Sequence, residues 1–168
     1  YKDVARIKKE GVLCEKINHP AIKDECYVYS ATEISTCDKI SKVGEEKNRC
    51  FLFVAKYKLD TQICEKIENF ANFDSSSLKS TCYSVIAAAK NDVTICDSFK
   101  EFYAETCYRD VAVALQDESV CEKAHNPASA DLRIRDYCYE EIAKLKGDSK
   151  LCGKISVENE RSYCLENI

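Results

Sequence analysis

The sequence predicts an all-α fold, a disulfide-stapled α-solenoid of about six short helical hairpins. Three observations point there. The 168 residues hold 12 cysteines but only 4 glycines and 2 prolines, which argues against collagen-like, Pro-rich and Gly/Ser-linker chains and against a turn-dense β-sandwich. The cysteines alternate between two sequence contexts without exception. The residues around them recur at helical spacing.

The first context reads Leu13-Cys14-Glu15-Lys16-Ile17 and recurs around Cys37, Cys64, Cys96, Cys121 and Cys152. The second reads Cys26-Tyr27 and recurs as Cys50-Phe51, Cys82-Tyr83, Cys107-Tyr108, Cys138-Tyr139 and Cys164-Leu165. Cysteines of the first kind lie 23, 27, 32, 25 and 31 residues apart. Residues 1–168 therefore read as one array with units at roughly 10–32, 33–59, 60–91, 92–116, 117–147 and 148–168, preceded by a half-repeat helix over 1–9.

Each unit opens with a short helix of about two turns. Four residues before its cysteine stands an acid: Glu10, Glu33, Asp60, Asp92, Asp117 or Asp148. An aspartate there suits an N-cap, accepting from free backbone N–H groups, whereas Glu10 and Glu33 cap poorly. Three residues after the cysteine the side chain is apolar: Ile17, Ile40, Ile67, Phe99, Ala124 or Ile155. Lysine at +2 (Lys16, Lys39, Lys66, Lys123, Lys154) falls near the helix C-terminus, where the dipole favours a cation.

The longer helix carries the second cysteine. Offset +4 holds Val54, Ile86, Val111, Ile142 and Ile168, with Ser30 the exception; offset +5 is Ala31, Ala55, Ala87, Ala112 and Ala143. Cysteine, +1, +4 and +5 form an amphipathic stripe, with alanine where a neighbour comes closest. From second cysteine to next first cysteine the spacing is 11, then 14 four times, so the copy between Cys26 and Cys37 lacks about one turn. From first to second it varies from 11 to 18, which gathers insertions such as 72–77 and 125–129 on one edge, a common place for binding.

Tyr1-Lys2-Asp3-Val4-Ala5 matches Tyr108-Arg109-Asp110-Val111-Ala112, and Ile168 lies four residues past Cys164. Both ends thus fall inside the repeat without an obvious polar cap, and such ends expose apolar surface that tends to find a partner. A start at Tyr1 with no methionine in the chain is expected of a segment freed of a secretory leader or excised from something longer.

Disulfides are the leading reading of the cysteines. Two connectivities fit. Pairing within hairpins gives 14–26, 37–50, 64–82, 96–107, 121–138 and 152–164, and closes without remainder. Pairing each long helix to the next short one gives 26–37, 50–64, 82–96, 107–121 and 138–152, leaving Cys14 and Cys164 to link successive chains. Structural zinc, thioredoxin-like, haem and iron–sulfur motifs need closer spacings than the minimum of eleven found here. No metal or cofactor is expected.

His19 and His125, each beside a proline-containing turn, read as loop residues, and two histidines give little material for a nucleophile arrangement. Four scattered glycines cannot form a phosphate loop. Net charge −4 argues against nucleic acid, and the longest apolar runs, Phe51–Ala55 among them, are too short to span a bilayer. Tyr27, Tyr83, Tyr108 and Tyr139 share a repeat position and read as packing between hairpins. Tyr29, Tyr57, Tyr103 and Tyr163 are off that register and, with Phe73 and Asn126 on the variable edge, are the candidate contact surface. Asn-x-Ser/Thr does not occur. Abundant charge with few labile residues suits a thermostable protein.

The pattern acidic-x-x-x-Cys-Glu-Lys-Ile followed by Cys-Tyr-x-x-Val-Ala resembles cysteine-rich helical repeat proteins of archaeal secretomes, and in plan it is distantly similar to tetratricopeptide and Sel1-type solenoids. The resemblance implies an extracellular or cell-surface, all-helical, protein-binding chain and brings no catalytic residues. The expected function is a non-catalytic extracellular scaffold, such as a subunit of an end-to-end surface assembly or filament, whose partner is itself or another surface protein. A monomeric secreted module that binds a protein or glycan on its loop edge is the second reading. A secreted enzyme is the third.

Overall fold

The structure, a computed structural model, describes residues 1–41, 44–69, 76–98, 102–125 and 132–168. The expected candidates Phe73 and Asn126, and the apolar position Phe99, lie outside the described residues. Among the described residues seven longer helices follow one another: α1 (Lys2–Lys8), α2 (Pro20–Ser30), α3 (Glu45–Lys58), α4 (Ser76–Lys90), α5 (Phe102–Leu115), α6 (Arg133–Lys146) and α7 (Glu158–Glu166). Six short helices alternate with them. Four are two-turn 3-10 segments, Gly11–Lys16, Val93–Ser98, Glu118–Lys123 and Ser149–Lys154. The other two, Ile34–Cys37 and Thr61–Cys64, are single α turns, so Lys39 and Lys66 lie beyond the helix ends rather than within them.

Each short helix is cross-linked to the long helix that follows it. The bonds are Cys14–Cys26, Cys37–Cys50, Cys64–Cys82, Cys96–Cys107, Cys121–Cys138 and Cys152–Cys164, with Cα atoms 5.6–5.8 Å apart. This is the within-hairpin connectivity, and no cysteine is left for a link between chains. Loop length does not select it, because the rival pairs are just as near in sequence. Helix geometry does. From Cys50 to Lys58, α3 carries the chain away for eight residues, about 12 Å at 1.5 Å per residue, before it turns into the next hairpin. All twelve cysteines are buried.

The turn from long to short helix is one device, used five times among the described residues. Lys9, Leu59, Asn91, Gln116 and Gly147 adopt left-handed φ between 52° and 64°. The acid that follows each of them sends its backbone N–H to the repeat alanine, Ala5, Ala55, Ala87, Ala112 or Ala143, at 2.9–3.1 Å. That six-to-one bond closes the long helix as a Schellman motif. Four aspartates then cap the short helix: Asp60, Asp92, Asp117 and Asp148 accept from backbone N–H groups two residues on, at 2.9–3.1 Å. Glu10 and Glu33 make no such bond, as expected of the longer side chain. In the shortened copy α2 stops at Ser30 and Ala31 is extended, so the lost turn takes the left-handed joint with it.

The expected stripe is the core. Val54, Ile86, Val111 and Ile142 at +4 are fully buried, as are the alanines after them, and Ser30 fills the same position by donating to the Cys26 carbonyl at 2.8 Å. The chain divides into two compact units, Tyr1–Cys82 and Tyr83–Ile168. Within the first, α1 packs on α2 and α2 on α3; within the second, α5 packs on α6 and α6 on α7.

Candidate functional site

Two sets of polar bonds lock the hairpins and govern what is left for the surface. The first is a clasp inside the hairpins closed by Cys14–Cys26, Cys96–Cys107 and Cys121–Cys138. The Tyr27 hydroxyl donates to Glu15, Tyr108 to Asp97 and Tyr139 to Glu122, so the tyrosine after the second cysteine meets the acid after the first. The Tyr27 hydroxyl, with Lys23 at 2.9 Å and Lys39 at 3.2 Å, holds the Glu15 carboxyl at about 2, well below the usual carboxylate range. Burial first, and the carboxylate second, push the Tyr27 and Tyr139 hydroxyls upward. A lysine from the next short helix or just beyond it then covers the ring, Lys39 over Tyr27 at 5.8 Å, Lys123 over Tyr108 at 5.6 Å and Lys154 over Tyr139 at 5.0 Å. Tyr1 and Lys16 repeat the ring contact at 5.5 Å.

The second set joins one hairpin to the next through a buried polar residue two before the second cysteine. Asp24 accepts from the Ser41 backbone N–H at 3.0 Å and its hydroxyl at 2.6 Å. Asn48 donates to the Glu68 carbonyl at 2.7 Å and accepts from its N–H at 3.2 Å. Asp136 accepts from the N–H groups of Ser156 at 2.8 Å and Val157 at 3.2 Å. Sequence reasoning missed these ties and the clasps, although the acids at +1 and the polar residues at −2 stand at fixed repeat offsets that could have revealed them.

The four off-register tyrosines separate. Tyr29 is half-buried, its ring against Phe53 at 5.3 Å, and its hydroxyl accepts from Arg49 at 3.0 Å. It lines a hollow of about 250 Å³ between α2 and α3, with Glu25, Glu46 and Arg49. Tyr57 is exposed one helical turn beyond Phe53 and shares its side of α3. In the second unit Tyr103 is half-buried on α5, and Tyr163 is exposed on α7 under the Lys144 ammonium at 5.0 Å. The structure therefore brings Tyr29 and Tyr57 to one surface and leaves Tyr103 and Tyr163 on separate helices. A second hollow, about 260 Å³, lies beside the N-terminus of α3 with Lys47, Phe51, Lys66 and Asn69 in its wall.

A third surface belongs to the repeat stripe itself. Tyr1 and Val4 on α1 are 67% and 46% exposed, and Leu165 and Ile168 at α7 are 53% and 42% exposed. These are the +1 and +4 positions, which are at most 8% exposed in every unit from α2 to α6. Among the described residues no helix is long and apolar enough to cross a membrane, and no group of three or more His, Cys, Asp or Glu is placed to hold a metal ion. Comparison with known proteins finds no matching family model, no matching curated protein and no matching solved structure.

Proposed function

We propose that this protein is a non-catalytic extracellular scaffold, a subunit of a surface assembly in which copies meet end to end and the hairpins stack as a solenoid. One observation carries the reading: each of the six short helices is cross-linked to the long helix after it, so all twelve cysteines serve to hold hairpins together. Six disulfides in 168 residues support an oxidising compartment. The clasps and ties support a structural role, since they spend their carboxylates on holding hairpins together. Material from the native source tests the proposal. Electron microscopy of the extracellular fraction should show polymers whose subunits carry six intrachain links by non-reducing peptide mapping. Free thiols, or a dispersed monomer in that fraction, would refute it.

A second reading, a monomeric secreted binding module, is favoured by the hollow at Tyr29. An aromatic face beside a guanidinium and two carboxylates suits a sugar ring. Tyr29→Ala and Arg49→Ala would then abolish retention on a glycan array while leaving the helical content intact; unchanged retention would remove this reading.

A further inference from the structure

We infer that the hollow between α2 and α3 takes an amino sugar, a hexose whose ring amine is free and protonated. The inference rests on the binding-module reading above and names its ligand class.

Size and surface come first. At about 250 Å³ the hollow is smaller than the roughly 300–1,000 Å³ of sites for drug-sized ligands, so it suits one small ring. Val28 is 3% exposed and supplies apolar surface, with Ala21 and the half-buried Tyr29 beside it. The Tyr29 ring is fixed by Phe53 at 5.3 Å and its hydroxyl by Arg49 at 3.0 Å, so this wall is in place before a ligand arrives.

Charge selects the amine. Glu25, Glu46 and Arg49 line the hollow. Two of them are already engaged. The Lys2 ammonium meets Glu25 at 3.0 Å, and Arg49 donates to the Tyr29 hydroxyl with its guanidinium 6.0 Å from the ring centroid. Glu46 stands three residues before Arg49 on α3, a spacing at which a helix ordinarily joins such a pair. Arg49 turns to Tyr29 instead, and among the described residues nothing pairs with Glu46. Glu46 is half-buried, so its carboxylate is partly desolvated without a counter-ion, and it favours a cationic group on the ligand. Arg49 repels an ammonium at the Tyr29 end, which orients the amine towards Glu46. The remaining N–H donors of Arg49 and the second oxygen of Glu25 are left for sugar hydroxyls. A uronic acid would set its carboxylate against Glu46, and an N-acetylated sugar brings no charge to it.

Two monosaccharides that differ only at the amine test the inference: methyl β-glucosaminide and methyl N-acetyl-β-glucosaminide. Each is titrated into the oxidised chain and followed by amide NMR at about pH 6, where the amine is protonated and the carboxylates are ionised. Amides around Tyr29 and Glu46 should shift, and the amino sugar should bind about threefold or more tightly than its acetylated partner. Glu46→Gln should narrow that ratio to within about twofold. Raising salt from about 0.02 M to about 0.5 M should narrow it too. Lysine amide, an amine without a sugar ring, should bind about threefold or more weakly than the amino sugar. Circular dichroism and non-reducing mass establish that the variant is folded and fully cross-linked. Equal binding of the two sugars would overturn the amine assignment, as would a ratio that survives in Glu46→Gln or ignores salt. Lysine amide bound as tightly as the amino sugar would overturn it as well. Retention of other sugars on a glycan array would then leave the binding-module reading standing. Binding of neither monosaccharide also overturns the assignment, and with no glycan retained on the array that reading falls with it.

Discussion

Removing the Asp136 carboxylate tests whether hairpins are joined by buried polar ties. Asp136 is 1% exposed on α6, in the hairpin closed by Cys121–Cys138, and it grips the backbone of the hairpin closed by Cys152–Cys164. Its Oδ2 takes the N–H groups of Ser156 and Val157, and Oδ1 takes the Arg135 guanidinium at 3.0 Å. No disulfide crosses this junction, so nothing covalent substitutes for the tie. Two charge-assisted bonds at about 1.5 kcal/mol each put the cost of Asp136→Ala near 3 kcal/mol. At about 2–4 °C per kcal/mol for a chain of this size, the melting temperature should fall by about 6–12 °C under non-reducing conditions. Asp136→Asn retains one acceptor oxygen and should lose about half as much. Amide exchange at Ser156 and Val157 should accelerate in both variants. A loss under about 0.5 kcal/mol for Asp136→Ala, with both amides still protected, would refute the assignment.

Glycine at the left-handed joints should stabilise, because Leu59 and Gln116 hold φ of 53° and 52° there; Leu59→Gly and Gln116→Gly should each add about 0.5–1 kcal/mol in urea unfolding, and Gly147→Ala should lose a similar amount. Replacing Cys37 and Cys50 together by serine opens a loop of sequence separation 13 and should cost about 3 kcal/mol, read as a lower urea midpoint. Acid should act through carboxyls held low in the fold. Glu15 at about 2, with Asp92 and Glu118 also lowered by the Thr94 hydroxyl and Lys146, contributes stability that is present above the ordinary carboxyl range. Stability should therefore stay level toward pH 5 and decline only as pH falls from about 4.5 toward 2; a decline beginning near neutrality would contradict this.

The hairpin, its caps and its core stripe are legible in the sequence because each is local. The acid four before Cys64, Cys96, Cys121 and Cys152 announces a cap, and the alanine five after the second cysteine announces close packing. Spacing also discloses the shortened copy at Cys26–Cys37. What stays hidden acts between units. Asn48 departs from the aspartates Asp24 and Asp136, and all three bind backbone groups of the next hairpin, so no side-chain pattern common to them marks the far end of the bond. The Tyr27–Glu15 clasp escapes for another reason: its acid sits beside a cysteine in a short helix, where a carboxylate also suits ordinary solvent exposure. Lys39 and Lys123 suit helix dipoles by their spacing; Lys123 does lie in the last turn of its short helix, Lys39 falls past the end of its own, and both also cover tyrosine rings of the preceding hairpin. Of the contact surface, only the Tyr29 hollow needs the fold, since it forms where two long helices meet.

Each cross-link joins cysteines that are 11–18 residues apart and consecutive in chain order. Oxidative closure can therefore follow chain order: a hairpin can be sealed as soon as its own two cysteines are available, without waiting for any later segment. Loop closure over so few residues is fast, and a sealed hairpin removes its two sulfurs from exchange before the next pair arrives. Whole units could be gained or lost without breaking a bond in those that remain, so the length of the array can change while its redox framework stays the same.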